Sequence, residues 1–235
     1  MAFHRLGAAT AGILTGVLIA FSATAQQQDA PLPEPAAPQV YQPPGALDAA
    51  AKVVEQFHTT LVSVMKDADK LGFKGRFELL EPAVDKTFNI PFMAEITSGI
   101  YWNRSSAEQR EKFTKAFAAM STATYAARFR NYAGEAFDIK GVQEEGRSSI
   151  IVHTEIVDSD GGHTQLNYLL RNFGGAWQVV DIYFNGSISE LAVRKSDYSN
   201  ILKNGGMEGL SAALNGKVSE MAAEDGNSKA SADVR

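Results

Sequence analysis

FELLEPAVDKTFNIPFMAEITSGIYWNRSSAEQREKFTKAFAAMSTATYAARFRNY, residues 77–132, is the stretch on which the fold turns. Its apolar residues recur at helical spacing, and its punctuation marks where each helix begins. Phe77, Leu80, Val84 and Phe88 form one apolar face, with Pro82 expected in a first turn. Asn89 stands as an N-cap with Pro91 close behind it, opening a helix that carries Phe92, Met93, Ile96 and Ile100. Ser105 and Ser106 stand three residues before Glu108 and Gln109, the capping-box spacing that opens a helix from Ala107 towards Tyr132. On that helix Phe113, Phe117, Met120 and Thr124 make one stripe, and Tyr125, Phe129 and Tyr132 make a second, rotated from it. Periodicity leaves two readings open: a helix buried on two sides in a large core, or a helix with one stripe facing an apolar cavity.

On the N-terminal side, Leu47, Ala50, Val54, Phe57, Leu61, Val64, Ala68 and Leu71 alternate in steps of three and four, predicting one long amphipathic helix that ends at Gly72. On the C-terminal side the period changes after Gly134 from helical to alternating. Four strands are predicted over 136–143, 148–157, 165–172 and 177–184, with turns at Gly146-Arg147, at 158–162 and at Gly174-Gly175. Such short links rule out crossover helices, so the sheet is an antiparallel meander. Ser187 or Ser189 then caps a helix over 191–202, Gly205-Gly206 breaks it, and a last helix uses Leu210, Leu214, Val218 and Met221. The fold class is α+β: a curved four-stranded antiparallel sheet with a cluster of helices on one face, which encloses an apolar cavity if the second reading of the 107–132 helix holds.

The flanks set an address. Residues 1–25 read as a secretory signal peptide: a basic start at His4 and Arg5, an apolar run over 6–21, and the A-x-A pattern ending at Ala25. Residues 26–45 form a linker holding six of the eight prolines, residues 46–221 the folded domain, and 222–235 a polar tail expected to be disordered. With the leader removed, 27 acidic residues face 21 basic ones, which argues against nucleic acid as a partner and against anionic surfaces. The chain has no cysteine, so an exported domain of this kind is held by its core alone, and thiolate catalysis and thiolate metal sites are excluded. The expected location is the periplasm, in soluble form.

Catalytic signals are sparse. His58 falls on the polar side of the first helix and reads as solvated, and His163 sits in a Gly-rich turn. No H-E-x-x-H, phosphate-cradling Gly loop or G-x-S-x-G is present, so neither a metal nor another cofactor is called for. His153, Tyr168 and Asp181 all lie on strands, and their convergence would make a small acid–base enzyme on a cone-shaped α+β fold. Strand alternation leaves open whether they share a face. Arg76, Lys112, Lys115, Arg128 and Arg130 have acidic neighbours and read mostly as solvated faces.

The run Phe77-Glu78-Leu79-Leu80, Pro82, Phe88, Pro91 and Met93 is followed by 106–110, Phe113, Phe117, Ala123-Thr124-Tyr125 and Phe129. Together with 177–182, Gly186-Ser187-Ile188-Ser189 and 205–210, it resembles the MlaC, or toluene-tolerance, family over about 47–218. That resemblance implies a periplasmic lipid carrier, not an enzyme. It implies a phospholipid ligand, passed between an outer-membrane lipoprotein complex and an inner-membrane ABC-transporter complex. It places Tyr125 at the cavity with Phe129 beside it and Gln165 near the mouth, and further lining is expected from Phe92, Tyr101, Ile151 and Leu169. Ile188 and the segment 191–198 depart from the usual pattern, and with the Pro-rich linker they point to a divergent branch. One branch is associated with hopanoids, whose rigid rings suit an aromatic pocket, so phospholipid or hopanoid stays open here.

Overall fold

The structure, a computed structural model, describes residues 45–146 and 148–232. The leader-like segment 1–25, all but the last residue of the Pro-rich stretch, and Arg147 of the first hairpin turn lie outside the described residues. The helices are α1 (Ala46–Lys66), α2 (Ala68–Thr87), α3 (Ile90–Ser98), α4 (Ile100–Arg104), α5 (Ala107–Arg128) and α6 (Glu190–Ala232). The strands are β1 (Ala136–Glu145), β2 (Ser149–Val157), β3 (His163–Phe173), β4 (Ala176–Phe184) and β5 (Ile188–Ser189). They pair antiparallel in the order β1-β2-β3-β4-β5. The expected meander is therefore present with one strand more than predicted. β5 escapes a sequence reading because two residues are too short to show alternation.

The caps act where the sequence puts them. Asn89 Oδ1 accepts from the Phe92 amide at 3.0 Å, and Ser106 and Gln109 close a reciprocal capping box. Three expectations shift. The first helix ends at Asp67, because the chain kinks there before α2 begins at Ala68. Gly72 then breaks α2 with φ 60° and ψ −178°, a conformation that essentially only glycine adopts, and Pro82 lies well inside the segment beyond it. α5 stops at Arg128, short of Tyr132. Gly206 breaks α6 in the same way as Gly72, with φ 62° and ψ −161°.

Irregularities in three successive strand pairs crease the sheet. β1 carries a bulge between Ile139 and Gly141, β4 another opposite Leu169 and Leu170, and between them the β2–β3 pairing lapses from Val152/Tyr168 to Glu155/Gln165. In that lapse side chains replace the ladder: the Thr154 amide donates to Asn167 Oδ1 at 3.2 Å, and Thr154 Oγ1 donates to the Leu166 carbonyl. Both residues are buried, so these two bonds satisfy the Thr154 amide and hydroxyl within the protein. Bulges bend and twist a sheet. On one side of the crease Ile150, Val152, Tyr168, Leu170 and Val179 are fully buried in the core with Val54, Phe57 and Leu61 of α1. On the other side lies the cavity described below.

Two buried polar arrangements differ from what the sequence suggests. Arg76, whose acidic neighbours predict a solvated cation, is 1% exposed. Its Nε donates to the Ala126 carbonyl (2.8 Å), Nη1 to the Ala68 carbonyl (3.2 Å) and Nη2 to Asp225 Oδ1 (2.7 Å). Asp225 Oδ2 in turn accepts from the Phe73 amide, the first one after the Gly72 break. The segment expected as a disordered tail from residue 222 is therefore helical to Ala232 and contributes the counter-ion of the buried Arg76. Sequence proximity could not show this, because the partners are 149 residues apart.

His58, expected to be solvated, is buried, and its Nε2 lies 3.0 Å from the Tyr168 hydroxyl. Phe137 of β1 covers the ring at 4.8 Å. Burial lowers the imidazole pKa to about 4 from its ordinary 6.5. The helical period puts His58 beside the apolar stripe, and the sheet closes over that flank.

Two outcomes follow. A chain ending at residue 221 loses Asp225 and leaves the Arg76 charge without its counter-ion. Breaking such a pair costs about 3 kcal/mol, so thermal melts of that chain and of the full chain are expected to differ by roughly 6–12 °C. For His58 the folded-state pKa lies below the unfolded one, so its contribution is complete above pH 6.5 and is lost as pH falls towards 4. Denaturant unfolding of His58→Gln is expected to lose about 2 kcal/mol less than the parent chain between pH 7 and pH 4.5.

Candidate functional site

The cavity is enclosed by α3, α5, the start of α6 and the far half of the sheet. Its volume is about 220 Å³. Phe88, Ile90 and Met93 form one wall, and Thr124, Tyr125 and Phe129 a second. Ile156, Leu166, Ile182 and Phe184 form the sheet side. These strand residues alternate with outward-facing ones, so the parity of β2, β3 and β4 decides which side chains reach the cavity.

Each wall is placed by a local device. Asn89, besides capping α3, donates from its amide to the Val179 carbonyl at 2.9 Å and from Nδ2 to Gln178, which docks the α2–α3 junction on β4. Phe88 thereby sits beside Tyr125, with ring centroids 5.8 Å apart. Tyr125 also meets Phe57 edge-on at 5.0 Å and stacks on Phe129 at 6.0 Å. Burial raises the Tyr125 phenol above its ordinary value, with Arg194 and Arg128 opposing, so it stays protonated. The two stripes of α5 separate in part: Phe113 and Phe117 of the first are fully buried towards α6, where Phe113 meets Tyr198, while its last residue, Thr124, joins Tyr125 and Phe129 of the second at the cavity.

The start of α6 is set by Asp181. Its carboxylate accepts from the Ile182 amide (2.8 Å), the Leu191 amide (3.1 Å) and Ser189 Oγ (2.6 Å). Ser189 caps the helix by accepting from the Ala192 amide, which settles the choice between the two serines. That anchor brings Glu190, Leu191 and Arg194 to the cavity.

Of the seven residues expected at the site, Tyr125 and Phe129 line the cavity and the other five do not. Ile151 and its β3 partner Leu169 have the opposite parity to Val152 and Tyr168 and lie across the crease. Gln165 also alternates away from Thr164 and Leu166, and its side chain stands against the Gly186 turn. Phe92 packs on Phe173 at 5.9 Å beneath the Arg171 guanidinium, since Ile90 and Met93 take the cavity side of α3. Tyr101 of α4 borders a separate surface hollow with Lys195 and Leu202. The sequence reading misses Ile156, Leu166, Ile182 and Phe184, although alternation counted from a known inward residue would find them.

The convergence required of an acid–base centre does not occur. Tyr168 pairs with His58, His153 has the strand parity of Ile151 and Glu155, and Asp181 is occupied by the α6 terminus. No group of three or more His, Asp or Glu side chains among the described residues is arranged to hold a metal ion.

Known proteins share this fold and part of this sequence. A phospholipid-binding protein from Ralstonia solanacearum, solved in complex with a phospholipid, shares the fold with a TM-score of 0.65 at 19% identity, covering 74% of this chain and 98% of that one. The Haemophilus influenzae intermembrane phospholipid transport system binding protein MlaC is 28% identical over 166 residues, covering 69% of this chain and 75% of that protein. Residues 55–216 match the family model described as MlaC protein, and the chain belongs to the MlaC family.

Proposed function

We propose that the chain is a soluble periplasmic carrier that buries the acyl part of a phospholipid in the cavity between α5 and the sheet. In this reading it passes its lipid between an outer-membrane lipoprotein complex and an inner-membrane ABC-transporter complex. The observation that carries it is a cavity walled by aromatic and aliphatic side chains from several elements. Each methylene moved from water into such a space contributes about 0.8 kcal/mol, so acyl chains supply affinity without specific polar contacts. Phospholipid is also the ligand class of the Haemophilus relative and the Ralstonia neighbour. No helix among the described residues is long and apolar enough to cross a membrane, as a carrier moving between membranes requires.

The cavity is smaller than the roughly 300–1,000 Å³ usual for small-molecule sites. A two-chain lipid therefore enters with the creased half of the sheet and α5 drawn apart. The apolar contacts that close the cavity are nondirectional, so they can be exchanged for contacts to acyl chains.

Native mass spectrometry and solvent extraction of the chain purified from its own cell envelope test the assignment. Phospholipid is the expected extract; hopanoid in its place would reassign the cargo, and repeated lipid-free recovery would remove the proposed function. Tyr125→Glu puts a carboxylate in the apolar wall, where an unpaired charge is strongly disfavoured. It is expected to lower lipid occupancy at least tenfold, read by the same mass spectra, while the far-ultraviolet circular dichroism stays that of the parent.

A further inference from the structure

Three charged side chains border the otherwise apolar cavity: Arg128 of α5, and Glu190 and Arg194 of α6. Arg128 is exposed, so the cavity meets solvent there, and Glu190 and Arg194 are half-buried. Arg194 is the most firmly held. Its guanidinium lies 5.3 Å over the Phe117 ring, Nη1 donates to Ser121 Oγ at 3.3 Å, and the Tyr198 phenol lies within its reach. A guanidinium has five N–H donors in a planar fork suited to two oxygens of one anion, more than these two hydroxyls can take. Among the described residues no carboxylate oxygen lies within 4.0 Å of either Arg194 or Arg128. Glu190 precedes Arg194 by one helical turn, the spacing at which such residues commonly pair, and yet it does not pair with it. An arginine fixed in the cavity lining by one ring and two hydroxyls, with donors left over, is arranged for an anion from outside the chain.

Resting on the carrier reading above, we propose that Arg194, assisted by Arg128 of the same cavity lining, recognises the phosphate of the carried lipid, so that the protein selects lipids with a phosphate-bearing head over uncharged lipids with the same chains. Two arginines and one glutamate leave the cavity lining with one net positive charge, matching a single phosphodiester. Glu190 disfavours a second negative charge and leaves a carboxylate for any ammonium further along the head. The aromatic wall of Phe88, Tyr125 and Phe129 then takes the chains, and the two arginines hold the end that water would otherwise reclaim. An arginine–phosphate contact is bidentate when the geometry allows, and its donors are stronger than neutral ones.

The test loads the full chain, stripped of lipid, with detergent-dispersed dioleoylphosphatidylglycerol or dioleoylglycerol, which share their chains and differ in the phosphate. Occupancy is read by native mass spectrometry. The parent chain is expected to favour the phospholipid about tenfold or more, the scale of one charged hydrogen-bonding contact. Arg194→Met is expected to reduce phospholipid occupancy about tenfold and dioleoylglycerol occupancy less than threefold, with Arg194→Lys intermediate. Arg128→Gln, at an exposed position, gives a smaller loss in the same direction and serves should Arg194→Met fail to fold. Equal uptake of both lipids by the parent, or an equal loss of both in the variants, overturns the proposal. Inorganic phosphate is expected neither to displace the phospholipid nor to raise the melting temperature of the stripped chain; if it does both, these arginines form a free-anion site and the proposal also fails. Uptake of neither lipid instead counts against the carrier function itself.

Discussion

The crease at Thr154 and Asn167 is the constraint from which the rest of the structure follows. A continuous ladder through β2 and β3 would carry a smoothly twisting sheet across the whole helical layer, and every inward side chain would meet a helix. Instead the pairing lapses for two residues, and two side chains take over the hydrogen bonds of a buried backbone. Unpaired amides and carbonyls there would be strongly destabilising, so the lapse persists only because Thr and Asn can satisfy it. The bulges in β1 and β4, the latter about three residues along the strands from the lapse, add to the bend. One half of the sheet becomes core and the other becomes cavity wall.

The helical layer is shaped by a complementary set of breaks. Gly72, Gly99 and Gly206 hold positive φ between helical runs, so the chain turns sharply without long loops. Such turns leave amides and carbonyls facing inward, and Arg76 with Asp225 collects several of them into one buried cluster. That cluster joins α2, α5 and the distal part of α6. It is a strongly directional contact in a layer otherwise held by apolar packing.

The distribution of polar groups explains the character of the cavity. His58, Tyr168, Asp181, Thr154 and Asn167 are all buried, and each is engaged in a structural hydrogen bond. What remains facing the cavity is aromatic and aliphatic surface, with hydroxyls at Ser121, Thr124 and Thr164 and charges confined to Arg128, Glu190 and Arg194. A space of that composition is predominantly apolar, as small-molecule sites commonly are.

Local chemistry by itself determined much of this protein. The Asn89 and Ser106 caps, the Gly206 break, the α5 stripes and the meander all depend on residues within a few positions of each other, so spacing and propensity suffice to read them. Tyr125 and Phe129 were legible at the cavity because a second aromatic stripe on one helix, joined to a family resemblance, marks a face. Tertiary structure alone decided where strand parity begins, which moved Ile151, Leu169 and Gln165 off the cavity and brought Ile156, Leu166, Ile182 and Phe184 to it. It also decided the partners of His58, Arg76 and Asp181. A polar residue beside an apolar stripe reads as solvated from sequence, and only the closure of distant elements over it, Phe137 on His58 or Asp225 on Arg76, turns it into core.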